Sequence, residues 1–254
     1  MPRSILFRAA YYLVSTFFVV TAMPLLLWPT RRPVARWIQA YCQVMVWLMR
    51  HIGGIDVRLR GLDHLPDGPF IIASKHQSWG DGFVVFAAIP DLAFVTGGHL
   101  LNYPLLGPIL RKLGAIVVNN CGGVAARGRL MAEEMEKASA EGRSILIYPE
   151  GHLSPVGTQH RYRKGVFHLY EKMNCPVVPV ATDLGLRWPQ QSAWIVPGPC
   201  SVEFLPAIAP GLDKECFMAE LEQMIETRSL SLLHDQAAAG TLPAAIVPSI
   251  PTPA

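Results

Sequence analysis

The chain has 254 residues, of which 51% are hydrophobic and only 16% charged, and its formal net charge is +3. Soluble domains carry about 25% charged residues. The composition therefore excludes a disordered chain and disfavours a freely soluble enzyme, and it fits a globular domain with membrane-embedded or membrane-resting surface. No dense Lys/Arg block supports nucleic-acid binding. The five cysteines, Cys42, Cys121, Cys175, Cys200 and Cys216, form no CxxC pair. That pattern argues against a disulfide framework and a zinc site, and for a reducing compartment.

In chain order, the first element is the uncharged run Ala9 to Trp28. As a helix it would rise about 30 Å, enough to cross the hydrocarbon core of a bilayer. A signal peptide is the rival reading, but the run exceeds a usual h-region and no small-x-small site closes it, so it is expected to be retained. Pro29, Arg31, Arg32 and Pro33 follow as a stop or a turn. The uncharged stretch Trp37 to Met49 is short for a span and suits a helix in the interface or packed on the first. One true span and a back-folded helical pair both fit the flanking arginines. Residues 1–54 are thus read as N-terminal membrane-associated helices.

From Ile55 the pattern changes. Asp56-Val-Arg-Leu-Arg60 alternates as a strand, and Pro69 to Ser74 is a short apolar run before a polar turn. Phe83 to Ile89 reads as a buried helix and Ala115 to Val118 as a strand. Ala125 to Glu141 has helical spacing that Gly142 stops. Ser144 to Tyr148, Val177 to Ala181 and Ser201 to Leu205 read as strands, and Phe217 to Leu233 as an amphipathic helix. Alternating strands and helices predict an α/β fold over 55–236: a mixed, largely parallel sheet flanked by helices. The Ala/Pro-rich residues 237–254 read as a disordered tail.

Chemistry concentrates in two turns. Two His-x4-Asp pairs occur, His51/Asp56 and His76/Asp81. The first reads as a helix end and a turn. The second follows a strand, where open α/β sheets place their ligands. Five residues of helix rotate 140° off one face, so the pairing needs His76 in the turn, with Ser78 as candidate N-cap and Asp81 in the first helical turn. His76 is then a candidate general base oriented by Asp81, against a satisfied turn histidine as the bland alternative. Glu150, in Tyr148-Pro-Glu-Gly151, stands at the end of the Ser144 to Tyr148 strand and shares that sheet edge if the strands are parallel. Arg161, Arg163 and Lys164 gather three cations within four residues.

Together these segments resemble the lysophosphatidate acyltransferase family, glycerolipid acyltransferases with a His-x4-Asp block. Lys75-His76-Gln77-Ser78-Trp79-Gly80-Asp81 resembles the first block, and Asn102-Tyr-Pro104-Leu-Leu-Gly107 running into Gly114-Ala-Ile-Val-Val118 the second. Tyr148-Pro-Glu-Gly151 and Val177-Val-Pro-Val180 resemble the third and fourth.

The resemblance implies acyl transfer from acyl-CoA or acyl carrier protein, as co-substrate rather than cofactor, to the free hydroxyl of 1-acylglycerol-3-phosphate. His76 and Asp81 would be catalytic, Glu150 and Gly151 would bind the acceptor, and no metal is implied. The family's Arg after Glu-Gly-Thr is replaced, with His152-Leu153 in that place, and Gly98-His99 and Asn119-Asn120 stand for further family cations. Lys75, Arg161, Arg163 and Lys164 are the candidate substitutes, Lys164 above all. A phosphate-free acceptor such as lyso-ornithine lipid, or a silent lipid-binding protein, is the alternative. The expected setting is the cytoplasmic membrane, with the site facing the cytoplasm.

Overall fold

The computed structural model describes residues 2–118 and 133–243. Two helices, α1 (Pro2–Ala22) and α2 (Arg32–Leu48), fold back on each other through a 3₁₀ turn at Pro24–Leu27. Their antiparallel packing is held by Ser15 Oγ and Tyr41 Oη at 2.8 Å and by Trp37 Nε1 donating to the Phe18 carbonyl. Residues 2–27 are long and apolar enough to cross a membrane. Yet α1 is one-sided. Ser4, Phe7, Phe18 and Ala22 are buried and recur with the helical period, whereas Ile5, Leu6, Tyr12, Leu13, Phe17 and Val20 are exposed. The packed side rests on the rest of the chain: Phe7 and Tyr11 meet Trp188 edge-on, and Ser4 donates to the Ile195 carbonyl.

Seven strands follow: β1 (Ile55–Arg60), β2 (Ile71–Ser74), β3 (Ala93–Gly97), β4 (Ile116–Val118), β5 (Ile145–Ile147), β6 (Val177–Thr182) and β7 (Gly198–Phe204). They form one sheet in the order β1-β7-β6-β2-β5-β3-β4. Every neighbouring pair is parallel except β6 and β7. The expected mixed, largely parallel sheet is therefore the observed one. Helices α3 (Asp81–Ala88), α4 (Leu106–Leu113), α5 (133–140), α6 (Gly165–Met173) and α7 (Lys214–Ala238) complete the domain.

The central strands are buried on both faces, which is why they read as continuous apolar runs rather than alternating ones. Ile72, Leu146 and Val178 pack in one core with α2 and α3. Ile71, Ala73, Ile145, Ile147 and Val177 pack in the other, with α5, α6 and α7. Burial at about 25 cal/mol per Å² makes these two layers the main stabilising term.

Several elements differ from the sequence reading. Strand β3 and helices α4 and α6 are additions to the sequence reading, although α4 buries Gly107, Ile109, Leu110 and Leu113 at helical spacing. Ser78 is not an N-cap: the α3 cap is Gly80, and Ser78 Oγ accepts from the Gly80 N–H while donating to the Trp188 carbonyl. Helix α7 continues to Ala238, past the expected start of the tail. Just beyond it, the Thr241 carbonyl accepts from Arg187, and Arg187 also donates to Gln236 on α7. Gln236 in turn donates to buried Asp183, whose carboxyl burial pushes above its ordinary range. The rest of the expected tail (244–254) and the start of the helix expected from Ala125 lie outside the described residues.

Gly107 in the Pro-x-x-Gly segment has a steric reason. A Cβ there would lie 2.2 Å from the Leu101 carbonyl oxygen, a backbone atom that cannot swing aside. Gly107→Ala is expected to cost about 3 kcal/mol or more, lowering the thermal midpoint in detergent by about 6 °C or more. A midpoint unchanged from wild type would show that α4 has room to shift.

Candidate active site

The parallel pairing of β2 with β5 and β6 decides where the site lies. Ala73 is level with Ile147 and Ser74 with Val180. The turns after β2 and β5 therefore emerge side by side at the carboxyl edge of the sheet. Beyond Ser74 the alternation of side chains continues. Lys75 shares the face of Ile71 and Ala73, toward α7, and His76 shares the face of Ile72, toward α3.

His76 is partly exposed, its side chain at 19%, whereas Asp81 is buried. Nδ1 of His76 lies 3.1 Å from Asp81 Oδ2. That same oxygen accepts the backbone N–H groups of Gln77 (2.7 Å) and Ser78 (2.8 Å). The carboxylate thus grips its own turn, and its place at the start of α3 suits a negative charge. With Nδ1–H donating to Asp81, Nε2 is the ring nitrogen left with a lone pair.

The imidazole stacks on Tyr148, centroids 3.8 Å apart and planes 15° from parallel. Burial holds the Tyr148 hydroxyl well above its ordinary range, so the ring stays neutral. The other pair does not form a dyad: His51 stacks on Trp47, and Asp56 sits with Arg50 and Arg58.

Glu150 reaches the same turn, but not as a surface group. Its side chain is fully buried. Oε1 accepts the His76 backbone N–H at 3.4 Å, and Oε2 accepts Ser154 Oγ. Ser154 N–H closes the loop on the His76 carbonyl. Glu150, read from the sequence as an acceptor contact, has both oxygens bonded inward in this structure. Lys75, read as a candidate substitute cation, also points inward. It faces away from the cleft because it lies on the opposite side of the strand from His76. Its buried ammonium lies 2.7 and 2.9 Å from the two Glu226 oxygens, 3.1 Å from the Thr158 carbonyl and 3.4 Å from Glu150 Oε2.

Gly151 adopts φ 72°, and a Cβ there would lie 2.4 Å from Arg163 Nε. Arg163 drapes across it, Nε donating to the Glu150 carbonyl. Arg161, Arg163 and Lys164 are all exposed, Lys164 at the start of α6. The structure thus brings His76, Asp81, Glu150 and Gly151 to one edge, with the basic turn beside Gly151. It adds Tyr148 and Glu226, which the sequence reading missed. A tyrosine next to Pro-Glu-Gly could have been flagged as a partner for the histidine, whereas nothing local marks Glu226.

A hydrogen-bonded imidazole and buried carboxylate at the carboxyl edge of the sheet have the geometry a general base requires, beside a helical pair with an exposed apolar face. The chain belongs to the Acyltransferase family, whose model matches residues 56–183. It is 31% identical to the 1-acyl-sn-glycerol-3-phosphate acyltransferase of Pseudomonas aeruginosa over 189 residues, 74% of this chain and 73% of that one. It is 26% identical to the lyso-ornithine lipid O-acyltransferase of the same organism, over 48% of this chain and 43% of that one. The crystal structure of the 1-acyl-sn-glycerophosphate acyltransferase of Thermotoga maritima superimposes with a TM-score of 0.74 at 20% identity, covering 91% of this chain and 96% of that one. That likeness is one of fold. The protein is an acyltransferase.

Proposed function

We propose that this enzyme transfers a fatty acyl group from a thioester donor, acyl-CoA or acyl carrier protein, to the free hydroxyl of 1-acylglycerol-3-phosphate in phospholipid synthesis. The observation that carries the chemistry is the Asp81–His76 pair with Nε2 left open at the sheet edge. His76 takes the proton of the acceptor hydroxyl as that oxygen attacks the thioester carbonyl carbon. Asp81 holds the tautomer and stabilises the imidazolium that forms. When the carbon–sulfur bond breaks, the imidazolium returns its proton to the leaving thiolate. The donor is already activated, so no acyl-enzyme is required.

The acceptor reading rests on two supports, the relatives' names and the basic turn. Leu153 stands where the resemblance has an arginine, but Arg163 brings a guanidinium across Gly151 in the same turn. Arg163 and Lys164 hold the phosphate in this reading, with Arg161 adding charge. The exposed apolar side of α1 enters one leaflet while its other side stays on the domain, so that the helical pair anchors without crossing. The lipid acceptor then reaches the site from the membrane surface, which we place on the cytoplasmic side.

Purified enzyme in detergent, given labelled acyl-CoA with either 1-acylglycerol-3-phosphate or lyso-ornithine lipid, is expected to prefer the phosphate-bearing acceptor. Lys164→Ala should raise KM for that acceptor roughly tenfold while kcat stays near wild type, because a lost ground-state phosphate contact acts on binding. Preference for lyso-ornithine lipid would overturn the acceptor assignment and leave the transfer chemistry standing.

A further inference from the structure

Helix α7 lies wholly outside residues 56–183, yet it sends one carboxylate into the back of the catalytic turn. Glu226 Oε1 and Oε2 lie 2.7 and 2.9 Å from Lys75 Nζ, and Oε1 also accepts the Tyr162 hydroxyl at 2.8 Å. Burial, and then the Glu226 charge, raises the Tyr162 pKa, so this hydroxyl keeps its proton and remains a donor. Lys75 is 1% exposed and is shared by two carboxylates, Glu226 at the shorter distance and Glu150 at 3.4 Å. Glu150 in turn accepts the His76 backbone N–H and the Ser154 hydroxyl. A continuous chain of charge-assisted contacts therefore runs from α7 through Lys75 and Glu150 to the backbone of His76.

We propose that Glu226 is a positioning residue of the acyl-transfer site: it fixes the Lys75 ammonium, which fixes Glu150, which holds the catalytic turn so that His76 Nε2 meets the acceptor hydroxyl. The inference rests on His76 being the general base. It assigns a role to two groups, Lys75 and Glu226, that touch neither substrate. Three features support positioning over plain stability. The ammonium's contacts sit on the residue next to His76, so a shift in Lys75 is a shift in the neighbouring backbone. Glu150 has no other cation within ion-pair distance among the described residues. Glu226 is itself held from the loop before α6 by buried Tyr162, which gives the anchor a second hold. Displacing a reacting group by a fraction of an ångström lowers the rate of the chemical step without weakening substrate binding.

The test is steady-state kinetics of the full chain in detergent micelles, with palmitoyl-CoA and 1-oleoylglycerol-3-phosphate. Wild type is compared with Glu226→Gln, Glu226→Asp, Glu222→Gln and His76→Ala. Glu226→Gln is expected to lower kcat roughly tenfold with both KM values within about twofold of wild type. Glu226→Asp, which keeps the charge, should recover most of that loss. Glu222→Gln, one turn earlier and bonded to Gln159 at the surface, should behave as wild type.

A Glu226→Gln enzyme with wild-type kcat, or one altered only in KM, would overturn the proposal, as would an equal loss in Glu222→Gln. If Glu226→Gln does not fold, the double variant Lys75→Gln/Glu226→Gln keeps a neutral hydrogen-bonded pair. A folded double variant about tenfold down in kcat supports the role, and one with wild-type kcat overturns it. His76→Ala separates the two levels. If it retains activity, the general-base reading itself falls. If it is inactive while Glu226→Gln is normal, only the positioning role falls.

Discussion

His76→Ala is expected to lower kcat by about 10³-fold or more, with the fold intact and lipid association retained. General-base assistance contributes roughly 10² to 10⁴ to a rate, and in the proposed mechanism the base also returns the proton to the leaving thiolate, so one deletion removes two proton transfers. The fold should tolerate the change because the imidazole is partly exposed and its contacts among the described residues are the Tyr148 stack and a single bond to Asp81. Asp81 keeps its two backbone donors when the ring is gone, so its buried charge is not stranded. His51→Ala is the matched control. His51 is exposed and packs at a tilt on Trp47, outside the turn that holds His76, and its loss should leave turnover unchanged. Transfer by His76→Ala at the wild-type rate would remove this residue from the mechanism.

Lys75→Met is expected to be the most destabilising single change at the site, by about 3–5 kcal/mol. A methionine fills much of the same volume, so the cost is electrostatic rather than a cavity. It would leave Glu150, fully buried, and Glu226, 15% exposed, facing one space with no cation between them. Truncating one partner strands the others, whereas removing both ends of an ion pair can be close to neutral. Lys75→Met/Glu226→Leu should therefore recover the part of the loss that comes from stranding Glu226, while Glu150 stays unpaired. Denaturant unfolding in mild detergent reads both, and a Lys75→Met protein as stable as wild type would show that the ammonium contributes no net stability to the cluster.

The readability of the site followed from how local each part is. His76, Asp81 and their turn lie within six residues, and the requirement that the pairing occur outside a regular helix could be worked out from 100° per residue. Glu150 and Gly151 came into view because a short apolar strand precedes them and parallel strands place their ends together. The direction in which Glu150 and Lys75 point was not legible in the same way. A carboxylate in a Pro-Glu-Gly turn and a lysine beside a turn histidine both look like surface groups. Only the packing of α7 against the sheet turns them inward, and Glu226 sits 151 residues from Lys75. The basic residues 161–164 lie where a phosphate site would need them, beside Gly151, but it took the fold to show Arg163 lying across that glycine.

By itself the amino-acid sequence determined the layered α/β architecture, the apolar helical pair at the start and the edge on which the chemistry sits. Each of these follows from a periodicity or a run length that neighbouring residues express together. Tertiary structure alone decided that α1 rests one side on the domain, that α7 extends past Leu233 to be tied down by Gln236 and Arg187, and that Lys75 and Glu226 form a buried pair. Those outcomes depend on contacts between segments remote in the chain. No local pattern encodes them, because the free energy that selects them comes from burying both partners at once.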